Sequence, residues 1–288
     1  MIADSSLSLV CKGNLLPLDP PRVMGILNLT EDSFYAGSRV QHDDASLLDR
    51  AGAMLEAGAD LLDLGACSTR PGANPVEVSL ESDRIQAGVE GILKHFPEAF
   101  ISVDTFRAAV AQIGIQTGAC MINDIAGGTL DPAMHSTVLE LQVPYILGHL
   151  RGTPATMQSL TEYHDVSAEV FEALLSKAMQ LQNEGAKDIV LDPCFGFAKT
   201  REQNFQILAN LRHLTRFGFP VMAGISRKSM VYQTLKVGAE QALNGTTVMN
   251  TVALLQGAKI LRVHDVAEAV QCVQLCQQMP SLYPSILS

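Results

Sequence analysis

Short runs of consecutive apolar residues recur eight times along the chain. They lie near Val23–Leu27, Leu61–Gly65, Ile101–Asp104, Met121–Asp124, Pro144–Leu147, Ile189–Asp192, Pro220–Ile225 and Lys259–Val263. Each is short, β-branched or Leu-rich, and mostly apolar at consecutive positions. A parallel strand buried on both faces reads this way. Between the runs the pattern changes to helical period. Asp43 and Asp44 precede Leu47, Leu48, Ala51, Met54 and Leu55, with Gly58 as a stop; Phe205, Leu208, Leu211 and Leu214 form another stripe. Eight strand–helix units in 288 residues predict an α/β fold, a (β/α)8 TIM barrel. A doubly wound sheet is the rival. It would bring a Gly-rich phosphate turn after the first strand, whereas the first run here ends in Asn28-Leu29-Thr30 and no GxGxxG occurs. Ser6 to Leu18 alternate around Gly13-Asn14, which predicts an N-terminal β-hairpin plugging the N-terminal end of the barrel. No linker or low-complexity stretch intervenes, so residues 1–288 read as a single barrel domain. Three post-strand segments, about 28–42, 66–78 and 149–164, are long and fall on one face, which favours a lid over a small ligand.

Composition narrows the partners. There are 20 basic and 30 acidic residues, a formal net charge of -10, and no basic run, so a nucleic-acid binder is excluded. No apolar run approaches the roughly 18–20 residues that cross a bilayer. Met1 to Leu18 carries Asp4 and lacks a basic segment followed by an apolar core, so no signal peptide is predicted. The six cysteines contain no CxxC pair and read as free thiols of a reducing, cytoplasmic compartment. Seven histidines without an HxxxH pair give no support to a zinc site.

The candidate chemistry lies at the strand ends, where a parallel barrel binds its ligands. Met222-Ala-Gly-Ile-Ser-Arg-Lys-Ser229 runs from a buried strand straight into two cations and two hydroxyls. Asp104 ends the third run, Asn123 and Asp124 the fourth, Asp192 the sixth, and Arg262 and His264 the eighth. Residues 262 and 264 are two apart and share one side of a strand. A single Asp after a strand is most often a helix N-cap; several carboxylates, an amide and a lysine meeting at one barrel mouth are not explained that way. Asp and Asn suit the edge of a flat nitrogen heterocycle, since a carboxylate accepts two N–H groups from a guanidine-like edge. Lys228 can donate to a ring carbonyl. Asn28, Arg262 and His264, on strands that a closed barrel makes neighbours, suit a polyanion, and Arg70 adds a cation from a loop.

These residues bring a family into view. Over roughly residues 20–275 the chain resembles dihydropteroate synthase. The motifs are Gly25-Ile-Leu-Asn-Leu-Thr-Glu-Asp-Ser-Phe34, Asp63-Leu-Gly65 with Ser68-Thr-Arg-Pro-Gly72, Ser102-Val-Asp-Thr105, Ile122-Asn-Asp124, Asp192-Pro-Cys-Phe-Gly-Phe197, Ser226-Arg-Lys-Ser229 and Arg262-Val-His264. The resemblance implies that p-aminobenzoate attacks the methylene of 6-hydroxymethyl-7,8-dihydropterin diphosphate, giving dihydropteroate and pyrophosphate, with Mg2+ assisting. It assigns the pterin to Asp104, Asn123, Asp192 and Lys228, and the diphosphate and its metal to Asn28, Arg262 and His264. Thr69, Arg70, Pro71, Phe197 and Ser229 fall on the aminobenzoate side, and Asp104, Lys228 and Arg262 carry the chemistry. It also implies a homodimer. The runner-up readings are a pterin-binding methyltransferase domain, against which Ser68–Gly72, Arg227 and Arg262 argue, and a weakly active or non-catalytic pterin-binding relative. Four positions depart from the pattern: Glu31 for proline, Ala66-Cys67 for glycine and glutamate, Cys194 for glycine, and Gly148 for a methionine against the pterin. Gly148 is expected to leave a gap that Gly148→Met would fill, tightening pterin binding.

Overall fold

The computed structural model describes residues 7–29, 45–68 and 76–279. The hairpin comes first, β1 (Ser8–Cys11) antiparallel to β2 (Asn14–Pro17), with Cys11 opposite Asn14. Its turn residues Lys12 and Gly13 both have positive φ, +50° and +75°, the twist that a two-residue hairpin turn requires. Eight parallel strands follow: β3 (Arg22–Asn28), β4 (Leu61–Gly65), β5 (Ile101–Asp104), β6 (Met121–Asp124), β7 (Tyr145–Gly148), β8 (Ile189–Asp192), β9 (Met222–Ala223) and β10 (Ile260–Val263). Neighbours run β8-β7-β6-β5-β4-β3-β10-β9, and a parallel bridge between Leu191 and Val221 closes β8 onto β9. The result is the expected (β/α)8 barrel.

The helices alternate with these strands: α1 (Ala45–Glu56), α2 (Val78–His95), α3 (Ala108–Thr117), α4 (Met134–Leu141), α5 (Val166–Asn183), α6 (Arg201–Thr215), α7 (Ser229–Leu235), α8 (Leu243–Leu255) and α9 (Val266–Gln277). Gly58 stops α1 at φ +97°, while Asp43 and Asp44 lie outside the described residues. Helix α6 begins with a capping box between Thr200 and Gln203. The ninth strand is shorter than the predicted Pro220–Ile225. Pro220 has no N–H, although its carbonyl accepts from Leu191 N at 2.8 Å, and the ladder stops before Gly224.

Strand side chains alternate between two cores. The outward set, such as Leu62, Leu64, Val103 and Leu191, packs with helix residues Ile85, Val89, Leu174 and Leu208. The inward set has two levels. At the lower level Met24, Leu61, Met121, Ile146, Val190, Met222 and Ile260 meet Leu9, Cys11, Leu16 and Leu18 of the hairpin, which seals that end as predicted. Two residues further along the strands five of the eight inward positions turn polar, Asp63, Asp104, Asn123, Asp192 and Arg262, while β3 keeps Ile26. On β7 and after β9 the equivalent positions are Gly148 and Gly224.

Candidate active site

The polar level is organised around a residue inside β4. Asp63 is fully buried. Its Oδ2 accepts from Arg262 Nε at 2.5 Å and from Asn123 Nδ2 at 3.0 Å, while Oδ1 accepts nothing among the described residues. A second guanidinium nitrogen of Arg262 donates to Asp104 Oδ2 at 2.5 Å. One arginine therefore bridges two carboxylates on adjacent strands. Because Asn123 donates its amide N–H to Asp63, its oxygen is left to accept. Burial pushes Asp104 up to about 7; Arg262 pulls against that rise, and the charges of Asp63 and Asp124 add to it. Burial works against the charge of Arg262, but Asp63 and Asp104 hold its pKa above the usual arginine value.

Asp192, Lys228 and Phe197 meet through the loop after β8. Asp192 Oδ1 accepts from Cys194 N at 2.8 Å, and Lys228 Nζ donates to the Phe195 carbonyl. The same ammonium lies 4.7 Å from the Phe197 ring centroid, a cation–π contact. Burial lowers the Lys228 pKa while Asp192 opposes the fall. A Cβ on Gly224 would stand in ordinary contact with both cations, 3.8 Å from Arg262 Cβ and 3.9 Å from Lys228 Nζ, so the two side chains flank this position.

The structure thus brings together Asp104, Asn123, Asp192, Phe197, Lys228 and Arg262. His264 is exposed beyond β10, with Nδ1 3.1 Å from Ser226 Oγ. Ser229 is the first residue of α7, and Asn28 is exposed at the end of β3. Thr69, Arg70, Pro71 and Glu31 lie outside the described residues. Arg227 forms a bidentate pair with Asp265 at 2.8 and 2.9 Å and donates to the carbonyls of Ala239 and Glu240, so it braces two loops rather than adding to an anion site.

The gap expected at Gly148 does not exist. A Cβ there would lie 2.5 Å from the Asp124 carbonyl oxygen and 2.6 Å from Cα and O of Ile125, so backbone already occupies the space. Cys194 packs on the same carbonyl, with Sγ 3.6 Å from Ile125 O. Sequence reasoning also left three contributors without a role. Asp63 sits within a strand rather than at its end, and its signal is parity: it falls two residues after inward Leu61. Lys199 and His149 are buried beside the loop after β8, and no sequence signal marks them.

The comparisons fit this geometry. A family model described as pterin binding enzyme matches residues 24–264. The dihydropteroate synthase of Escherichia coli (strain K12) is 40% identical over 276 residues, covering 94% of this chain and 96% of that protein. The chain belongs to the dihydropteroate synthases. Two solved members of the family share its backbone. That of Xanthomonas albilineans with 4-aminobenzoic acid has a TM-score of 0.86 at 37% identity, covering 96% of this chain and 100% of the other. That of Yersinia pestis with a sulfonamide drug has a TM-score of 0.85 at 38% identity, covering 94% of this chain and 98% of the other. Membership in the dihydropteroate synthases makes the protein an enzyme of the transferase class.

Proposed function

We propose that the protein condenses p-aminobenzoate with 6-hydroxymethyl-7,8-dihydropterin diphosphate, yielding 7,8-dihydropteroate and pyrophosphate. The observation that carries this reading is the inward polar level of the barrel, where Asp104, Asn123 and Asp192 offer acceptors beside the cations Arg262 and Lys228. Acceptors suit the N–H edge of a pterin, and Lys228 suits its carbonyl. As the C–O bond to diphosphate breaks, its electron pair leaves with pyrophosphate and positive charge spreads from the methylene into the ring. Carboxylates held against that ring stabilise the cation more than the neutral ground state. The arylamine nitrogen then forms the C–N bond and loses its proton. Arg262 has five N–H donors, of which Asp63 and Asp104 take two, so donors remain for the departing diphosphate. Phe197 and Ser229, with Thr69, Arg70 and Pro71, make up the aminobenzoate side, and His264 joins the diphosphate side.

The reading includes a magnesium ion. Among the described residues no group of three His, Cys, Asp or Glu side chains is gathered. The exposed Asn28 amide oxygen fits a hard cation whose remaining ligands are substrate phosphate oxygens and water. Such an ion would neutralise charge on the leaving group. A homodimer and a cytoplasmic location belong to the same proposal; no described helix is long and apolar enough to cross a membrane.

Pyrophosphate release, with both substrates and Mg2+ present, tests the reading. Release that depends on p-aminobenzoate and yields dihydropteroate is expected. Pterin binding without release, or methyl transfer from a folate, would overturn it.

A further inference from the structure

Lys199 has no part in the chemistry above, yet its ammonium is buried under the site. The residue is 4% exposed, and no ion pair among the described residues holds it. Its Nζ lies 2.9 Å from Phe197 O, 3.3 Å from Cys194 O, and 3.4 and 3.3 Å from O and Nδ1 of His149. Burial, with the nearby charge of Lys199, lowers His149 to about 3, so the imidazole is neutral and its Nδ1 accepts. A buried ammonium met only by dipoles is an expensive arrangement, and the loop it grips explains its use.

That loop is conformationally demanding. Cys194, Gly196 and Ala198 have φ of +53°, +86° and +50°, and two of the three carry side chains. Its fold is over-determined from two sides. Asn204 Oδ1 accepts from Gly196 N at 2.7 Å, and Lys199 gathers the carbonyls of Cys194 and Phe197 against the end of β7. The loop in turn supplies the N–H that orients Asp192, the carbonyl that receives Lys228, and the ring beneath Lys228. The shortest of the four ammonium contacts goes to Phe197.

We propose that Lys199 is a positioning residue for the second substrate, fixing Phe197 on the aminobenzoate side. On the pterin side, Asp104, Asn123 and Asp192 are rooted in strands β5, β6 and β8, and the Phe195 carbonyl that receives Lys228 is not among the groups Lys199 holds. The inference rests on Phe197 lying beside p-aminobenzoate.

Steady-state rates with p-aminobenzoate varied, together with calorimetric pterin affinity, test it. In Lys199→Met the KM for p-aminobenzoate should rise about tenfold or more while pterin affinity changes by less than about threefold. Phe197→Ala should raise the same KM, and adding Lys199→Met to it should add little, because the two act through one ring. Lys199→Gln keeps two donors without the charge and should fall between wild type and Lys199→Met; it carries the comparison if the methionine variant does not fold. Independent, multiplying effects of Lys199→Met and Phe197→Ala would overturn the proposal. So would a loss of pterin affinity with unchanged KM for p-aminobenzoate, which would make Lys199 a support of the barrel rim. An unchanged KM in Phe197→Ala would remove the placement of Phe197 and this inference with it. The overall condensation is read separately from wild-type pyrophosphate release.

Discussion

One oxygen of Asp63 holds two groups of the site, Arg262 Nε and Asn123 Nδ2. Asp63→Asn keeps the volume but removes the charge that Arg262 and Asn123 both answer to. If the new amide turns its NH2 to that position, two donors face a donor. A buried donor left without an acceptor costs about 1–3 kcal/mol. Pterin affinity should therefore fall about tenfold or more, read by calorimetry, although Asp63 itself is fully buried. Unchanged affinity would mean that Asp104 alone holds Arg262 in place. Gly148 shows the opposite constraint, an absent side chain that the structure needs. The Asp124–Ile125 backbone that a new Cβ would strike is itself pinned, since Asp124 accepts from Ala126 N at 2.8 Å and Gly128 N at 2.7 Å. Overpacking of this kind costs about 1–3 kcal/mol. Gly148→Met should lower the thermal midpoint and weaken pterin binding, the reverse of what the sequence led us to expect. Equal or tighter binding by the variant would show that this loop yields freely.

At the scale of elements, neighbouring side chains on β6 serve different ends because they face opposite sides. Asn123 points into the barrel, whereas Asp124 faces outward and receives two loop N–H groups and Tyr145 OH at 2.8 Å. This buried network ties β6, β7 and the loop between β6 and α4. Tyr145→Phe removes one donor from a buried carboxylate and should cost about 1–2 kcal/mol, about 2–4 °C in midpoint, with steady-state constants little changed. A catalytic defect without a stability defect would place Tyr145 in the reaction instead. The same parity explains what could be read in the sequence. Four of the eight strands, β4, β5, β6 and β8, were legible to the residue, because strands buried on both faces are mostly apolar at consecutive positions. The hairpin plug was legible from its alternation around a turn. Asp104, Asn123, Asp192, Lys228 and Arg262 were legible because strand ends are few and polar groups there stand out. Asp63 was not, since a polar residue within a run looks like an interruption until the inward positions are counted. Lys199 and His149 were not, because their role comes from a loop path with three positive φ values that no local pattern announces. The packing at Gly148 was hidden because it depends on backbone from a different strand.

For the molecule as a whole, the formal charge of -10 contrasts with a site that gathers Arg262 and Lys228. An anionic substrate thus finds its cations half-buried in the mouth of an acidic protein, where water screens them less than at the open surface. The carboxylates of the same mouth make ligand binding depend on pH. Asp104 is held up to about 7, with burial the main cause, so a fraction of the free enzyme carries it protonated at neutral pH. On the proposed pterin placement a ring N–H favours the ionised form as acceptor, so binding should drive off that proton. Pterin affinity should rise with pH below about 7, by at most tenfold per unit for one proton, and level off above it. Stability follows the opposite sign. The folded pKa of Asp104 lies above its unfolded value near 3.9, so the folded state binds this proton more tightly. The contribution of Asp104 to stability therefore falls as pH rises from about 4 through about 7, and ligand recovers part of it above that range. Asp104→Asn should flatten the affinity profile between pH 6 and 8, as an order-of-magnitude window about that pKa, and abolish proton release. Titration calorimetry in two buffers of different ionisation enthalpy counts the proton directly. Binding to wild type that releases no proton near pH 6.5, roughly half a unit below that pKa, would mean that Arg262 already holds Asp104 ionised. The ion pair with Arg262, rather than burial, would then govern the charge of the site.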